Sequence, residues 1–341
     1  MDMDISQDMH EDSWTIAYEA VKASAKIPAN LPHIMRACWN DMLGTTEFVR
    51  LLASPGFSAR CLIRAAHLPQ VGDQPQAPEL TAAVEILGVK AAAVMLAINC
   101  ICERALDSGP ANRIWSPLFK EMMSEIEIGY HFGTTVDTVG HERGMLIGFS
   151  RLAGLAILLI RFPDQFVAWY TETEGRGSPQ QALKAFGCEP YQVSSILMQH
   201  LGLGAEIALA TASTLGDLDT TVVEVKPDMQ SWRATYRWLQ ALKNGQDAPE
   251  CEESRRAFSE LCVTPGAPKV PQHITLLHEQ VAEVRKSQSV WTWHLPLPSY
   301  EETAQAIVYR VNSDAGGTTW TKGLVLASAS KLSVRDSRSK I

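Results

Sequence analysis

Five polar side chains crowd one short stretch of the chain: His131, Asp137, His141, Glu142 and Arg143. Imidazoles and carboxylates this close in sequence are the raw material of metal binding or of general acid–base work. Asp137 and His141 stand four residues apart, a spacing that would set both on one face of a helix. Against that, Gly133-Thr134-Thr135 and Gly140 mark the stretch as a loop leading into a helix. There Glu142 is more simply an N-terminal acid favourable to the helix dipole. Polar groups in a loop are ordinarily solvated, so a site built from these five is the weaker reading. Cys100-x-Cys102 is too tightly spaced for zinc and lies inside an apolar helical pattern. The sequence has no Gly-rich phosphate loop, no Gly-x-Ser-x-Gly and no cysteine with a partner at nucleophilic spacing.

A single charge poses the sharper question. Residues 144–162 read GMLIGFSRLAGLAILLIRF, with Arg151 in the middle of an apolar helix candidate. A guanidinium stays protonated at any working pH, and leaving it buried without a partner is costly. Two kinds of partner would satisfy it. One is an acid from a neighbouring helix, Glu125 or Glu127, and this is the simpler reading. The other is a ligand phosphate or carboxylate, held by bidentate contacts.

The segments around Arg151 form a series of short patterns. Ile27-Pro28 and Leu31-Pro32 precede a first helix, and Leu51-Leu52-Ala53-Ser54-Pro55 makes a turn. Residues 59–67 (ARCLIRAAH) and Val84-Glu85-Ile86-Leu87-Gly88 follow, then Trp115 with Pro117 two residues on. Gly202-Leu203-Gly204 falls within a closing segment, residues 189–210. In order and spacing, over about residues 25–215, these resemble the HDOD domain, a degenerate branch of the HD phosphohydrolase superfamily of bacterial signalling proteins. Departures from its pattern are Ser54 for Asp, His67 for Asn, Pro117 for His and Gly204 for Pro. The core of the resemblance is Gly148-Phe149-Ser150-Arg151-Leu152-Ala153-Gly154, similar to the superfamily's signature helix.

In HD enzymes that helix carries an adjacent His-Asp pair that binds metal, together with an early His and later ligands. The resemblance sets Pro117 at the early His and Arg151-Leu152 at the pair, with the paired histidines after the last bundle helix falling near Thr214-Leu215. None of these positions supplies an imidazole or a carboxylate, and a guanidinium has no lone pair to give. What the resemblance implies is therefore a retained scaffold without metal, cofactor or catalysis. It further implies a regulatory or scaffold module acting on a protein partner, in pathways linked to cyclic dinucleotides. Two alternatives stay open: a sensor that binds an anionic nucleotide near Arg151, and a metal-dependent phosphohydrolase with relocated ligands.

The elements that must position these residues read as helices almost throughout residues 12–215. Apolar residues recur at helical steps in Ile34-Met35-Cys38-Met42 and in Val84-Leu87-Ala91-Met95. Breaks fall at Ser54-Pro55-Gly56, residues 69–78, residues 107–110 and residues 175–179. The predicted fold is all-α, an HD-like multi-helix bundle over residues 24–215 after a lead-in helix or tail at 1–23. Residues 216–341 form a mostly helical extension, with helices expected at 229–243, 252–262 and 273–286. Trp232, Tyr236, Leu239 and Leu242 share one stripe of the first of these. Residues 306–311 and 318–327 pair as a small β-hairpin or else form a helix end and a loose tail. The strip Trp291-Thr292-Trp293 is read as packing on the bundle rather than as a partner surface.

Composition narrows the function classes. A net charge of −8 with no basic stripe argues against a nucleic-acid surface. Seven cysteines without paired spacing suggest a reducing compartment. The acidic start MDMDISQDMHED has neither the positive charge nor the apolar stretch of a signal peptide. The apolar run at 145–160 is interrupted by Arg151 and falls short of the ~20 residues that span a bilayer. The expectation is a cytoplasmic protein without membrane insertion.

Overall fold

A computed structural model describes residues 3–24, 27–52, 59–66, 77–106, 112–175, 177–215, 227–262 and 270–287. Among them the chain is all-α, with fifteen helices and no strand. In order these are α1 (Met3–Ser24), α2 (Leu31–Trp39), α3 (Thr45–Leu52), α4 (Arg60–Ala65), α5 (Ala77–Leu87) and α6 (Val89–Leu106). Then come α7 (Asn112–Thr135), α8 (His141–Arg161), α9 (Pro163–Thr173), α10 (Pro179–Phe186), α11 (Pro190–His200) and α12 (Ala205–Leu215). The last three are α13 (Pro227–Lys243), α14 (Glu252–Leu261) and α15 (Val270–Ser287). The hairpin segments, the Trp291–Trp293 strip and the expected breaks at Ser54-Pro55-Gly56 and residues 107–110 lie outside the described residues.

Helix α8 is the axis of the fold. Every residue from Gly144 to Leu159 is buried except Arg151, because α1, α6, α7, α11 and α13 all pack on it. A helix apolar on all sides must be enclosed this way. By length and composition alone its 21 residues are enough to cross a membrane, yet 78% of its most apolar stretch is buried inside the fold.

The pairing of α7 with α8 is unusually close. A Cβ added at Gly144 would lie 1.9 Å from the carbonyl oxygen of Gly129, and one at Gly148 would lie 2.2 Å from that of Glu125. Only hydrogen fits at these positions, so the two backbones touch where side chains normally intervene.

Three sequence expectations are corrected here. The stripe Val84-Leu87-Ala91-Met95 is not one helix. Gly88, at φ +81°, ends α5, and α6 leaves at an angle of 109°. A positive φ is accessible to glycine without steric cost, which is why the chain can turn there. Gly133-Thr134-Thr135 is not a loop either. Helix α7 continues to Thr135, and only residues 136–140 connect it to α8. Met42 likewise falls beyond the end of α2 and is 72% exposed rather than in its core stripe.

The C-terminal helices share the bundle's core. Trp232, Tyr236, Leu239 and Leu242 of α13 are buried, as their spacing predicts. Trp238 stacks on Phe258 of α14 at 4.3 Å between ring centroids, and Phe258 meets Phe132 of α7 at 5.7 Å. Buried aromatic side chains contribute roughly 1.5–3 kcal/mol each, so this contact is part of the main core. Polar contacts fix the register. Thr138 Oγ1 donates to the Leu261 carbonyl at 2.6 Å, and the imidazole of His273 on α15 meets the Thr135 carbonyl at 2.8 Å. At the other end of the chain, α1 lies along α8 and α11, where Gln192 Nε2 donates to Ser13 Oγ at 2.8 Å.

Candidate functional site

Arg151 finds an acid. Its Nε donates to the carboxylate of Glu125 on α7, one of the two partners that its sequence position demands. Glu125 is only 2% exposed, so the pair is withdrawn from water. The pairing follows from the close packing of the two helices, since Gly148 rests against the carbonyl of Glu125 itself and lies one turn before Arg151.

Two more groups complete the arrangement, both from α13. Lys243 Nζ donates to Glu125 and also to Glu121, one turn earlier on α7. The Tyr236 ring lies under the guanidinium, with Arg151 Cζ 4.4 Å from the ring centroid, within the range of cation–π attraction. The result is a network of two cations, two carboxylates and one aromatic face, drawn from three helices. Its floor is closed and its rim is open: side-chain exposure rises from 10% at Arg151 to 28% at Lys243 and 41% at Glu121.

The electrostatics follow from this geometry. Burial alone would disfavour the charge on Arg151, but Glu125, together with Tyr236 and Glu121, offsets it and holds the guanidinium pKa above its ordinary value. Lys243 behaves alike: burial opposes its charge, and Glu125 with Glu121 raises its pKa. Burial pushes the Tyr236 phenol up to about 12, so it stays neutral beside the pair. Arg151 Nη1 is buried and has no hydrogen-bond partner.

The other predicted positions are easily placed. Pro117 lies inside α7, exposed, one turn before Glu121 and in line with Glu121 and Glu125. Leu152 is buried in the core beside Arg151 in sequence, turned to a different face of α8 by the helical step. Thr214 and Leu215 fall in the last turn of α12. Sequence reasoning missed Lys243 and Glu121 and placed Tyr236 only as a core residue. Nothing local announces a contact across 118 residues. The one available signal is the four-residue step from Glu121 to Glu125, which puts two acids on one face.

The five-residue polar cluster does not converge. His131 belongs to the end of α7, Asp137 is exposed in the connecting turn, and His141 opens α8. His141 Nδ1 stands 3.5 Å from Glu142, and the Tyr130 ring meets both imidazoles edge-on at 5.5 and 5.6 Å. Glu142 lies in the first turn of α8, as expected of an acid at a helix start. Among the described residues no three His, Cys, Asp or Glu side chains are grouped to hold a metal ion. None of the seven cysteines forms a disulfide, and burial pushes the Cys100 thiol up to about 12 and that of Cys102 well above its usual value.

His131 bears instead on the pH dependence of stability. Burial lowers its pKa to about 4, against about 6.5 when unfolded. The folded state therefore favours neutral imidazole. Its contribution is fully present above about pH 6.5 and is lost as pH falls through that value toward 4, by at most about 3 kcal/mol. Urea titrations from pH 7 to pH 4 should show this fall in stability, and His131→Gln should flatten it. An unchanged slope in the variant would place the loss elsewhere.

No family model and no curated protein matches the sequence. Solved structures match its fold. The chain is similar to an HDOD domain protein of unknown function from Geobacter sulfurreducens, at 13% identity and a TM-score of 0.54, covering 84% of this chain and 100% of that one. It is also similar to a candidate phosphohydrolase from Shewanella amazonensis SB2B, at 12% identity and a TM-score of 0.51, covering 82% and 97%. The chain thus has an HDOD/HD-like fold. Coverage this large reaches beyond residues 24–215, so the similarity takes in helices outside that span.

Proposed function

We propose, from an HDOD/HD-like fold with Arg151 and Leu152 at the positions matched to the metal-binding pair, that this protein is a non-catalytic regulatory module. In this reading it is a bacterial, cytoplasmic output or scaffold component that acts through contact with a protein partner. The observation that carries the reading is the Arg151–Glu125–Lys243 network. A hydrolytic HD site needs imidazole and carboxylate donors around an open position for activated water. Here two cationic side chains pair with the carboxylate of Glu125, and the Tyr236 ring covers the guanidinium of Arg151, so the residues present do not fit a metal.

The alternatives meet specific obstacles. Anion capture at Arg151 would have to use Nη1, the guanidinium nitrogen that is buried without a hydrogen bond, beside the Glu125 carboxylate, whose charge repels a phosphate. A hydrolase with relocated ligands has no group of three donors among the described residues to draw on.

The test combines metal content with turnover. Protein purified without chelators should carry far less than one transition metal per chain and should not hydrolyse bis(p-nitrophenyl) phosphate with added Mn²⁺. Stoichiometric metal together with chelator-sensitive turnover would overturn the reading.

A further inference from the structure

The network has a composition that invites a closer reading. Glu121 and Glu125 project from one face of α7, four residues apart, a placement in which two bare carboxylates repel. Positive charge is required between them, and in this chain it comes from covalently attached cations. We propose that Arg151 and Lys243 are a resident replacement for a divalent cation. They neutralise the two α7 carboxylates, and half of that charge is delivered by α13. This goes beyond the proposed function and does not depend on it, since it concerns how the polar centre of the fold is held neutral.

Three observations support the assignment. Glu125 receives both cations at once, the arrangement of a carboxylate shared between two positive centres. Lys243 bridges Glu125 and Glu121, as a single cation between two acids would. Arg151 is nine-tenths buried and keeps Nη1 in the network without a hydrogen bond, so charge rather than a complete hydrogen-bond set holds it there. The gradient of exposure gives the site a direction. Lys243 and Glu121 form the open side, so replacing the ammonium with an uncharged end leaves two carboxylates facing each other at a water-accessible rim.

That consequence is testable by cation rescue. Lys243→Met and the double variant Arg151→Met/Lys243→Met are prepared as full chains, and thermal unfolding is followed with and without millimolar Mn²⁺ at low ionic strength. A cation that binds only the folded state raises Tm, so the variants should gain about 3 °C or more, against less than about 1 °C for the wild type. Adding Glu121→Gln to Lys243→Met should abolish the gain. Should the double variant fail to fold, Lys243→Met alone decides the matter, because its site lies at the rim. A gain no larger in the variants than in the wild type overturns the proposal. So does a gain that survives Glu121→Gln, because the cation would then be bound elsewhere.

Discussion

Arg151→Met should cost about 3 kcal/mol in urea unfolding, with Glu125→Leu in the same chain recovering most of the loss. Methionine approximates the arginine stem in volume and keeps the helix, so the cost is electrostatic rather than a cavity. It leaves Glu125, at 2% exposure, with Lys243 as its remaining counter-charge. Breaking one side of a buried pair typically costs 3–5 kcal/mol, and the retained lysine sets the expectation at the lower end. Removing both partners instead exchanges an ion pair for apolar contact, which is often close to neutral. A double variant as unstable as the single would mean that Arg151 contributes by packing on Tyr236 and not by its charge. The cycle also separates this pair from Lys243, which keeps Glu121 in either background.

The second large effect is steric. Gly144→Ala should destabilise the fold by at least about 3 kcal/mol, even though alanine is intrinsically the better helix former by roughly 1 kcal/mol. The propensity gain is outweighed because the new methyl would sit 1.9 Å from a backbone oxygen of Gly129, which no rotamer change can relieve. The helices must separate. Gly148→Ala acts in the same way at 2.2 Å from the Glu125 carbonyl, and there the displacement also moves the carboxylate away from Arg151. Gly148→Ala and Arg151→Met should therefore be non-additive, with a coupling between about 0.5 and 3 kcal/mol in a double-mutant cycle, whereas Gly144→Ala should be closer to additive. Urea denaturation of the six chains in the two cycles checks both statements. Wild-type stability in Gly144→Ala would show that α7 and α8 are not in backbone contact.

The helical architecture is legible in the sequence because apolar periodicity survives even where individual residues are misassigned. The stripe on α13 predicts its buried face, and the demand of Arg151 for an acid points to α7. The misreadings share a cause. Gly133 was a plausible helix end because glycine usually weakens helices, yet here its lack of a side chain serves packing: a Cβ at that position would lie 2.0 Å from the Gly140 carbonyl. The spacing Gly129, Gly133 and Gly140, Gly144, Gly148 carried that message, and four-residue glycine steps on both arms of one hairpin can be read as close approach. Gly88 misled in the opposite direction, ending a helix where periodicity ran on. Lys243 and Tyr236 were out of reach for a simpler reason: side chains that meet only through tertiary packing leave no local pattern.

The order in which the network's parts leave the ribosome has a consequence for biosynthesis. Glu125 and Arg151 are 26 residues apart and can meet as soon as the α7–α8 hairpin emerges. Lys243 follows Glu125 by 118 residues, a delay on the order of ten seconds at ordinary translation rates. For that interval the nascent hairpin carries Glu121 without its counter-charge and presents Phe132 without the Trp238 and Phe258 rings that later cover it. Chaperone occupancy on stalled nascent chains should accordingly persist past the synthesis of α12 and fall once α13 and α14 have cleared the exit tunnel.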